Sequence, residues 1–479
     1  MNTIAIQALM TSSGVGFGTS GVRGLVSDMS DTLCYVYTQA FLQAVVDMPG
    51  PIVLGHDLRP SSPRMAAVCA TAMKDMGYMV IYAGPLPTPA LAYFAATLHA
   101  PCMVVTGSHI PFDRNGLKFY RACGEISKAD EAAMRAAVVN VPTEINSLTL
   151  SIPDARGREA YVQRYIEFFG RQALAGLRIA VYEHSSVARE VLRDILQGLG
   201  AEVWSLGRTD TFVPIDTEAV RPEDELQAKL WAQTHPFDAI VSTDGDGDRP
   251  LIGDEQGQWL RGDIVGVLCA QYLAANIVVT PISSNTVVEL CGAFSQVIRT
   301  CIGSPYVLAG MEKISEQLDL VVVGYEANGG FLLGSNIIRE GHTLTALPTR
   351  DALLPILALL CLARAEGKAL SQLSKTLPAR YTASNRLPNF TSILSLQLLT
   401  NLKQDLFEAA QLLAPDAGDV VEVNVMDGLR LSFKNGDIVH LRPSGNAPEL
   451  RCYTEASTEL RAQQLCSDCL QRLSSLPTD

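Results

Sequence analysis

No Lys- or Arg-rich block occurs anywhere in this sequence, and its 37 Lys plus Arg are outnumbered by 50 Asp plus Glu. A net charge of −13 without a basic cluster argues against nucleic-acid partners, which need cations grouped opposite phosphates. The first basic residue is Arg23, and Met1–Ser13 lacks the basic start, apolar stretch and cleavage site of a secretory signal. Long apolar runs are missing too. Leu353–Ala363 is broken by Pro355, and Ile264–Ile282 by Gln271, Asn276 and Pro281, whereas a membrane span needs about 20 mostly apolar residues. The 11 cysteines are odd in number and irregularly spaced, which disfavours a disulfide framework. Cys466 and Cys469 form a Cys-x-x-Cys with no second pair for zinc; in line with Ala462, Leu465 and Leu473, they are expected to pack in a core. These absences predict a soluble cytoplasmic protein with no nucleic-acid or membrane partner.

What is present is apolar content. With 48% hydrophobic residues the chain can bury a sizeable core, and 479 residues suggest about three or four domains. Short β-branched runs alternate with segments whose apolar residues recur every three or four positions. Pro51–Leu54, Met79–Tyr82 and Cys102–Val105 are predicted strands, and Leu33–Val46 an amphipathic helix. Arg178–Tyr182, Glu202–Ser205 and Ala239–Ser242 make a second strand set, and Ile277–Thr280, Gln296–Thr300 and Leu320–Val323 a third. Alternation of this kind predicts α/β domains with parallel, doubly wound sheets, with function in loops at the carboxyl ends of strands. The last part differs: Val420–Met426, Gly428–Phe433 and Ile438–Leu441, with a turn at Lys434–Asp437 and a helix near Leu460–Leu473, predict an α+β unit of mainly antiparallel strands. Polar stretches near Asn146–Gly157, Gly253–Gln258 and Thr376–Asn385 place the expected domains at 1–150, 151–255, 256–375 and 376–479.

Five loops carry chemistry. Ser242-Thr-Asp-Gly-Asp-Gly-Asp-Arg249 follows an apolar strand; in an extended loop Asp244, Asp246 and Asp248 project to one side, where their repulsion calls for a hard divalent cation. Glu255 falls at the twelfth position of an EF-hand, but Arg249 stands where that loop needs Gly and a strand precedes it, so an EF-hand is rejected. Val104-Val-Thr-Gly-Ser-His-Ile-Pro-Phe-Asp-Arg-Asn-Gly-Leu-Lys-Phe119 exposes Ser108 and His109 just past a strand, and the Asn115-Gly116 turn swings Lys118 back towards it. Phe17-Gly-Thr-Ser-Gly-Val-Arg-Gly24 suits a loop approaching an anion. In Arg442-Pro-Ser-Gly-Asn-Ala-Pro-Glu-Leu-Arg451 the two arginines and Ser444 suit a phosphate; the competing reading is a surface turn with arginines paired to Glu449 or Glu455. Glu326 and Asn328, in Gly324-Tyr-Glu-Ala-Asn-Gly-Gly330, can face sugar hydroxyls, or the segment is an ordinary strand-to-helix turn.

Together, and in this order along nearly the whole chain, these motifs resemble the α-D-phosphohexomutase family of phosphomannomutases and phosphoglucomutases. Gly55-His-Asp-Leu-Arg-Pro-Ser-Ser62 adds a sixth match, to the family's Gly-x-Asp-x-Arg-x-Ser-Ser. The resemblance implies three related α/β domains and a smaller C-terminal one around a central cleft. It implies that Ser108 is phosphorylated and binds magnesium together with Asp244, Asp246 and Asp248. By the same carry-over Lys118 is the general acid/base, His109 orients the reacting oxygen, and Arg23 and Arg249 offset phosphoryl charge. Glu326 binds sugar hydroxyls, while Arg442, Ser444, Gly445, Asn446 and Arg451 hold the non-reacting phosphate. Hexose phosphates are the implied substrates and a hexose 1,6-bisphosphate the activator and bound intermediate.

This sequence departs from the family at three places. Ile110 stands where many members have Asn, Asn446-Ala447-Pro448 replaces Thr-Glu-Pro, and Glu-Ala-Asn-Gly-Gly replaces Glu-x-Ser-Gly-His, removing a His. The Ser-His-Ile-Pro run with Asn-Gly-Leu-Lys resembles that of bacterial phosphomannomutases, and this resemblance implies mannose phosphate with glucose phosphate second. The Glu-Ala-Asn-Gly loop is also similar to that of acetylglucosamine-phosphate mutases, leaving an amino sugar as the alternative. A phosphatase and a non-catalytic sugar-phosphate-binding protein are the readings from other classes.

Overall fold

The computed structural model describes residues 2–18, 21–46, 49–314, 320–444 and 449–476. They form two compact units, Met1–Val278 with Gly303–Ser374, and Val279–Ile302 with Lys375–Asp479. The chain leaves the first unit within the strand Ile277–Pro281 and re-enters it at Gly303.

The first unit contains three larger sheets layered with helices, besides two two-stranded ones. In the first, the order is Gly16–Gly18, Gly21–Leu25, Arg114–Arg121, Cys102–Val105, Pro51–His56, Met79–Pro85. The last three strands are mutually parallel, joined through the helices Ser62–Asp75 and Thr88–Thr97. Arg114–Arg121 runs antiparallel to Cys102–Val105, and Gly21–Leu25 antiparallel to it in turn. The expected α/β layering is present, but the sheets are mixed rather than wholly parallel. The physical reason is local: a helical crossover returns the chain parallel, whereas a short loop can only return it antiparallel. The amphipathic segment forms the helix Asp31–Ala44, opened by Ser30, whose hydroxyl accepts from the Leu33 amide at 3.3 Å. Its apolar face (Leu33, Val36, Tyr37, Phe41) is buried with Ile52, Leu54, Met103 and Val105 of the sheet.

The second sheet has parallel Glu202–Leu206, Arg178–Tyr182 and Ala239–Thr243, closed by antiparallel Pro250–Gly253. In the third, Val322–Tyr325 pairs antiparallel with Phe331–Leu333, and that with Leu347–Asp351. The acidic loop and the Glu326 loop are therefore both strand reversals, not the strand-to-helix turns that a doubly wound sheet leads one to expect. The helix Leu353–Glu366 is buried on nearly every side over Leu353–Ala363, which accounts for the almost wholly apolar sequence there. Among the described residues no helix is long and apolar enough to cross a membrane.

The second unit holds a five-stranded antiparallel sheet ordered Tyr381–Pro388, Glu449–Ala456, Ile438–Pro443, Leu429–Phe433, Val420–Asn424. The helix Glu459–Ser474 covers it, with Cys466 and Cys469 buried among Leu465 and Leu473 as expected. All eleven cysteines are free thiols.

One buried carboxylate ties the end of Leu347–Asp351 in place. Asp351 accepts from the Tyr161 hydroxyl at 2.7 Å, the Tyr165 hydroxyl and the Leu353 amide at 2.8 Å, linking the helix Arg156–Phe169 to the third sheet. Asp351→Ala strands three buried donors at once. It is expected to destabilise the fold by about 3–5 kcal/mol and lower the calorimetric unfolding midpoint by several degrees; an unchanged midpoint would contradict this account.

Candidate active site

Ser108 sits on the loop after Cys102–Val105 with φ of 54°, a left-handed conformation that costs a non-glycine residue energy. The loop is over-determined by its surroundings. The Ser108 amide donates to Thr106 Oγ1 at 2.8 Å, and Thr106 Oγ1 donates to Asp57 at 2.7 Å. Buried Arg59 pairs with Asp57 at 3.1 Å, and its two Nη atoms donate to the carbonyls of Ser108, Ile110, Pro111 and Arg114 at 2.6–2.9 Å. The Gly-x-Asp-x-Arg-x-Ser-Ser match, which the sequence left without a task, is thus the brace of the serine loop.

The acidic loop forms the turn between Ala239–Thr243 and Pro250–Gly253. Asp244, Asp246 and Asp248 are fully buried, and ligand oxygens from all three lie within 4.8 Å of one another. Asp244 accepts from Ser108 Oγ at 2.6 Å through Oδ2, and from the Asp248 and Arg249 amides through Oδ1. Thr88 Oγ1 donates to Asp246 Oδ2 at 2.6 Å. Gly245 permits the approach: a Cβ there would stand 2.8 Å from the Ser108 carbonyl oxygen. Lys118, paired across the sheet from Val104, brings its ammonium within 2.6 Å of both Asp246 and Asp248.

Cations surround this cluster. Arg249 Nε is 3.7 Å from Asp248 Oδ1, and Arg350 donates to Asp248 at 2.8 Å and to Glu326 at 3.1 Å. Burial and the neighbouring charges of Arg249 and Arg350 bring the Arg23 guanidinium down to about 10. Burial also holds the His109 imidazole well below its usual range, reinforced by Arg249 and Arg23. Asp244 is pushed well up by burial and by the charges of Asp246 and Asp248. Burial pushes Asp248 up too, but Arg350, Lys118 and Arg249 outweigh it and hold that carboxyl well down. Lys118, opposed by burial, is raised by Asp246 and Asp248. Crowded arginines suit an anion, and crowded carboxylates suit a cation.

The donor set fits a hard divalent ion. Every ligand is a carboxylate oxygen, and Asp246 Oδ1 and Asp248 Oδ1 are buried with no hydrogen-bond donor among the described residues.

In the Glu326 loop both Glu326 and Asn328 are buried. Asn328 Oδ1 accepts from the Gly330 amide at 2.9 Å, closing its own turn, while its carbonyl accepts from Thr217 Oγ1 at 2.7 Å. Ser108, His109, Lys118, Arg23, Arg249, Asp244, Asp246, Asp248 and Glu326 therefore come together in the first unit. Sequence reading missed Arg350 and Thr88, isolated residues with no local motif around them.

In the second unit, Arg442 Nε donates to Asp427 Oδ1 at 2.8 Å and Arg451 Nε to Glu449 Oε1 at 3.1 Å. The Ser444 amide donates to the Glu449 carbonyl at 2.9 Å. The pairing of Arg451 with Glu449 is part of the surface-turn reading. Gly445 and Asn446 lie outside the described residues.

Comparison with known proteins follows the same lines. Three family descriptions match the chain: "Phosphoglucomutase/phosphomannomutase, alpha/beta/alpha domain I" over residues 14–143, "alpha/beta/alpha domain III" over 261–381, and the "C-terminal domain" over 399–471. The chain is similar to a phosphomannomutase of Salmonella muenchen, 45% identical over 470 residues, covering 98% of this chain and 97% of that one. It is similar to a phosphomannomutase of Sinorhizobium fredii, 42% identical over 472 residues, covering 96% and 99%. Its fold matches that of a phosphoglucomutase/phosphomannomutase family protein from Burkholderia thailandensis with a TM-score of 0.74 at 19% identity, covering 95% and 96%.

Two outcomes are expected from this geometry. Asp246→Asn should weaken binding of manganese or magnesium by at least about tenfold in a calorimetric titration, since it removes one of three carboxylate charges. The His109 ring should stay neutral across roughly pH 6–8, and its nitrogen NMR shifts should not titrate there; a midpoint within that range would contradict its cationic surroundings.

Proposed function

The chain belongs to the phosphoglucomutase/phosphomannomutase family, and we propose that it is a phosphohexomutase interconverting mannose 1-phosphate and mannose 6-phosphate, with glucose phosphates as second substrates. The observation carrying this reading is the 2.6 Å contact between Ser108 Oγ and Asp244, at the meeting point of buried carboxylates and a cluster of arginines. Phosphoryl transfer demands mainly positioning and electrostatic stabilisation, and both are built here.

In the proposed cycle, phosphorylated Ser108 gives its phosphoryl group to the free hydroxyl of a hexose phosphate. The resulting hexose 1,6-bisphosphate turns end for end, and its other phosphate returns to Ser108; added bisphosphate would act as activator by phosphorylating the serine. Lys118 is held protonated by Asp246 and Asp248, so it can donate to the departing serine oxygen and take up the proton that the attacking sugar hydroxyl gives up; the return transfer runs the same exchange in reverse. His109, kept neutral, orients the reacting oxygen through Nδ1, 3.4 Å from Ser108 Oγ. Arg23 and Arg249 offset charge on the moving phosphoryl group. Magnesium, held by Asp244, Asp246, Asp248 and a phosphoserine oxygen, would further neutralise that charge. Glu326 and Asn328 take sugar hydroxyls, and Arg442, Ser444, Gly445, Asn446 and Arg451 take the non-reacting phosphate. The four domains of this reading are 1–150, 151–255, 256–375 and 376–479.

The substrate is favoured by two nearly full-length relatives, each over 40% identical, that are phosphomannomutases. Ser108→Ala should cut turnover of mannose phosphate by at least about 10³-fold while leaving the fold intact. With the wild type, kcat/KM should be highest for mannose phosphate among mannose, glucose, glucosamine and N-acetylglucosamine phosphates. Inorganic phosphate released in step with sugar consumption would point to a phosphatase instead.

A further inference from the structure

Arg350 belongs to no motif, yet it joins two of the loops that carry the chemistry. Its side chain is buried, with the residue only 2% exposed. Nη1 donates to Glu326 Oε2 at 3.1 Å and Nη2 donates to Asp248 Oδ2 at 2.8 Å. One planar guanidinium therefore fixes the distance and angle between the sugar loop and the acidic loop, a geometry that a flexible ammonium cannot impose. The neighbouring residue Asp351 is itself locked by Tyr161, Tyr165 and the Leu353 amide, so Arg350 projects from a rigid point.

The room for this side chain comes from Gly330. A Cβ at Gly330 would stand 2.7 Å from Arg350 Cδ and 3.0 Å from Cγ. Gly330 is where the resembled family motif Glu-x-Ser-Gly-His carries its His. A side chain at position 330 would therefore collide with the Arg350 stem, so the glycine of the loop and the buried arginine of the strand Leu347–Asp351 require each other.

We infer that Arg350 is a positioning residue of the reaction, one that orients Glu326 for the sugar by holding it against Asp248 in the space that Gly330 leaves open. With Oε2 engaged by Arg350, Glu326 presents Oε1 in a fixed direction to a hydroxyl pair. The inference deepens the proposed mutase function and rests on it. Without Arg350, Asp248 keeps Lys118 and Arg249, but Glu326 loses the partner that holds its Oε2, and with it its orientation before any substrate arrives.

The test is a double-mutant cycle on the full chain with mannose 1-phosphate, magnesium and a trace of bisphosphate. Arg350→Met should lower kcat/KM by about 100-fold, chiefly through KM. Arg350→Lys, which restores charge but not the fork, should recover only part of that loss. In a Glu326→Gln background, Arg350→Met should change kcat/KM by less than about threefold, because its partner's orientation no longer matters. Full additivity of the two substitutions, or an Arg350→Met enzyme within threefold of wild type, would overturn the inference. If Arg350→Met fails to fold, Gly330→Ala decides the matter, since it keeps Arg350 but crowds its stem. A KM raised about tenfold supports the inference, and an unchanged KM overturns it. Wild-type enzyme inactive on every hexose phosphate would instead bring down the functional reading, and this inference with it.

Discussion

The site depends on a balance of buried charge centred on Asp248. Around that one carboxylate stand Lys118 from the first sheet, Arg249 from its own loop and Arg350 from the third sheet. Each sign is crowded by its own kind: Asp244 is driven up by burial and by its acidic neighbours, and Arg23 is driven down by burial and by its basic ones. Neither set could be buried alone, because removing ions from water costs several kcal/mol apiece unless a counter-charge replaces the solvent. Interleaving the two sets answers that cost and fixes geometry at the same time. Three sheets are registered against one another through a single acidic side chain.

The loops themselves are stiff for a related reason. The acidic loop and the Glu326 loop each connect two hydrogen-bonded antiparallel strands, so both of their ends are held by ladders. The serine loop likewise leaves Cys102–Val105 and returns through Arg114–Arg121, with Arg59 gripping four of its carbonyls from inside. A phosphoryl acceptor gains from such pre-organisation, since no reorganisation is left to perform when charge moves.

Much of this was legible beforehand, and the limits have physical causes. The three aspartates are found from sequence because so many carboxylates set so close call for a cation, although they converge around a tight turn rather than along one side of an extended loop. Lys118 does return towards the serine loop, but not by the expected Asn115-Gly116 turn: both residues lie within the strand Arg114–Arg121, paired with Gly24 and Arg23, and the reversal is made earlier, at residues 108–113. Cys102–Val105, Arg178–Tyr182 and Gln296–Thr300 form as the β-branched runs predict. Mixed sheet direction was not legible, because a strand's residues do not say whether its partner arrives by helix or by hairpin. Arg59 was visible only as a letter in a motif, since its carbonyl partners lie 49–55 residues away. Arg350 was invisible altogether: Asp248 is 102 residues from it and Glu326 is 24, and nothing in Leu-Pro-Thr-Arg-Asp marks a cation as functional. Contacts set by tertiary placement leave no local trace.

The path of the chain between the two units has a consequence for how the protein is made. Residues Val279–Ile302 belong to the second unit, but Gly303–Ser374 return to the first. On a ribosome, Ser108, Asp244, Asp246 and Asp248 emerge long before Glu326 and Arg350, so the acidic cluster must wait, without Arg350, while the intervening chain is synthesised. No single cut in the polypeptide separates the units, and biosynthesis must carry two unfinished cores side by side.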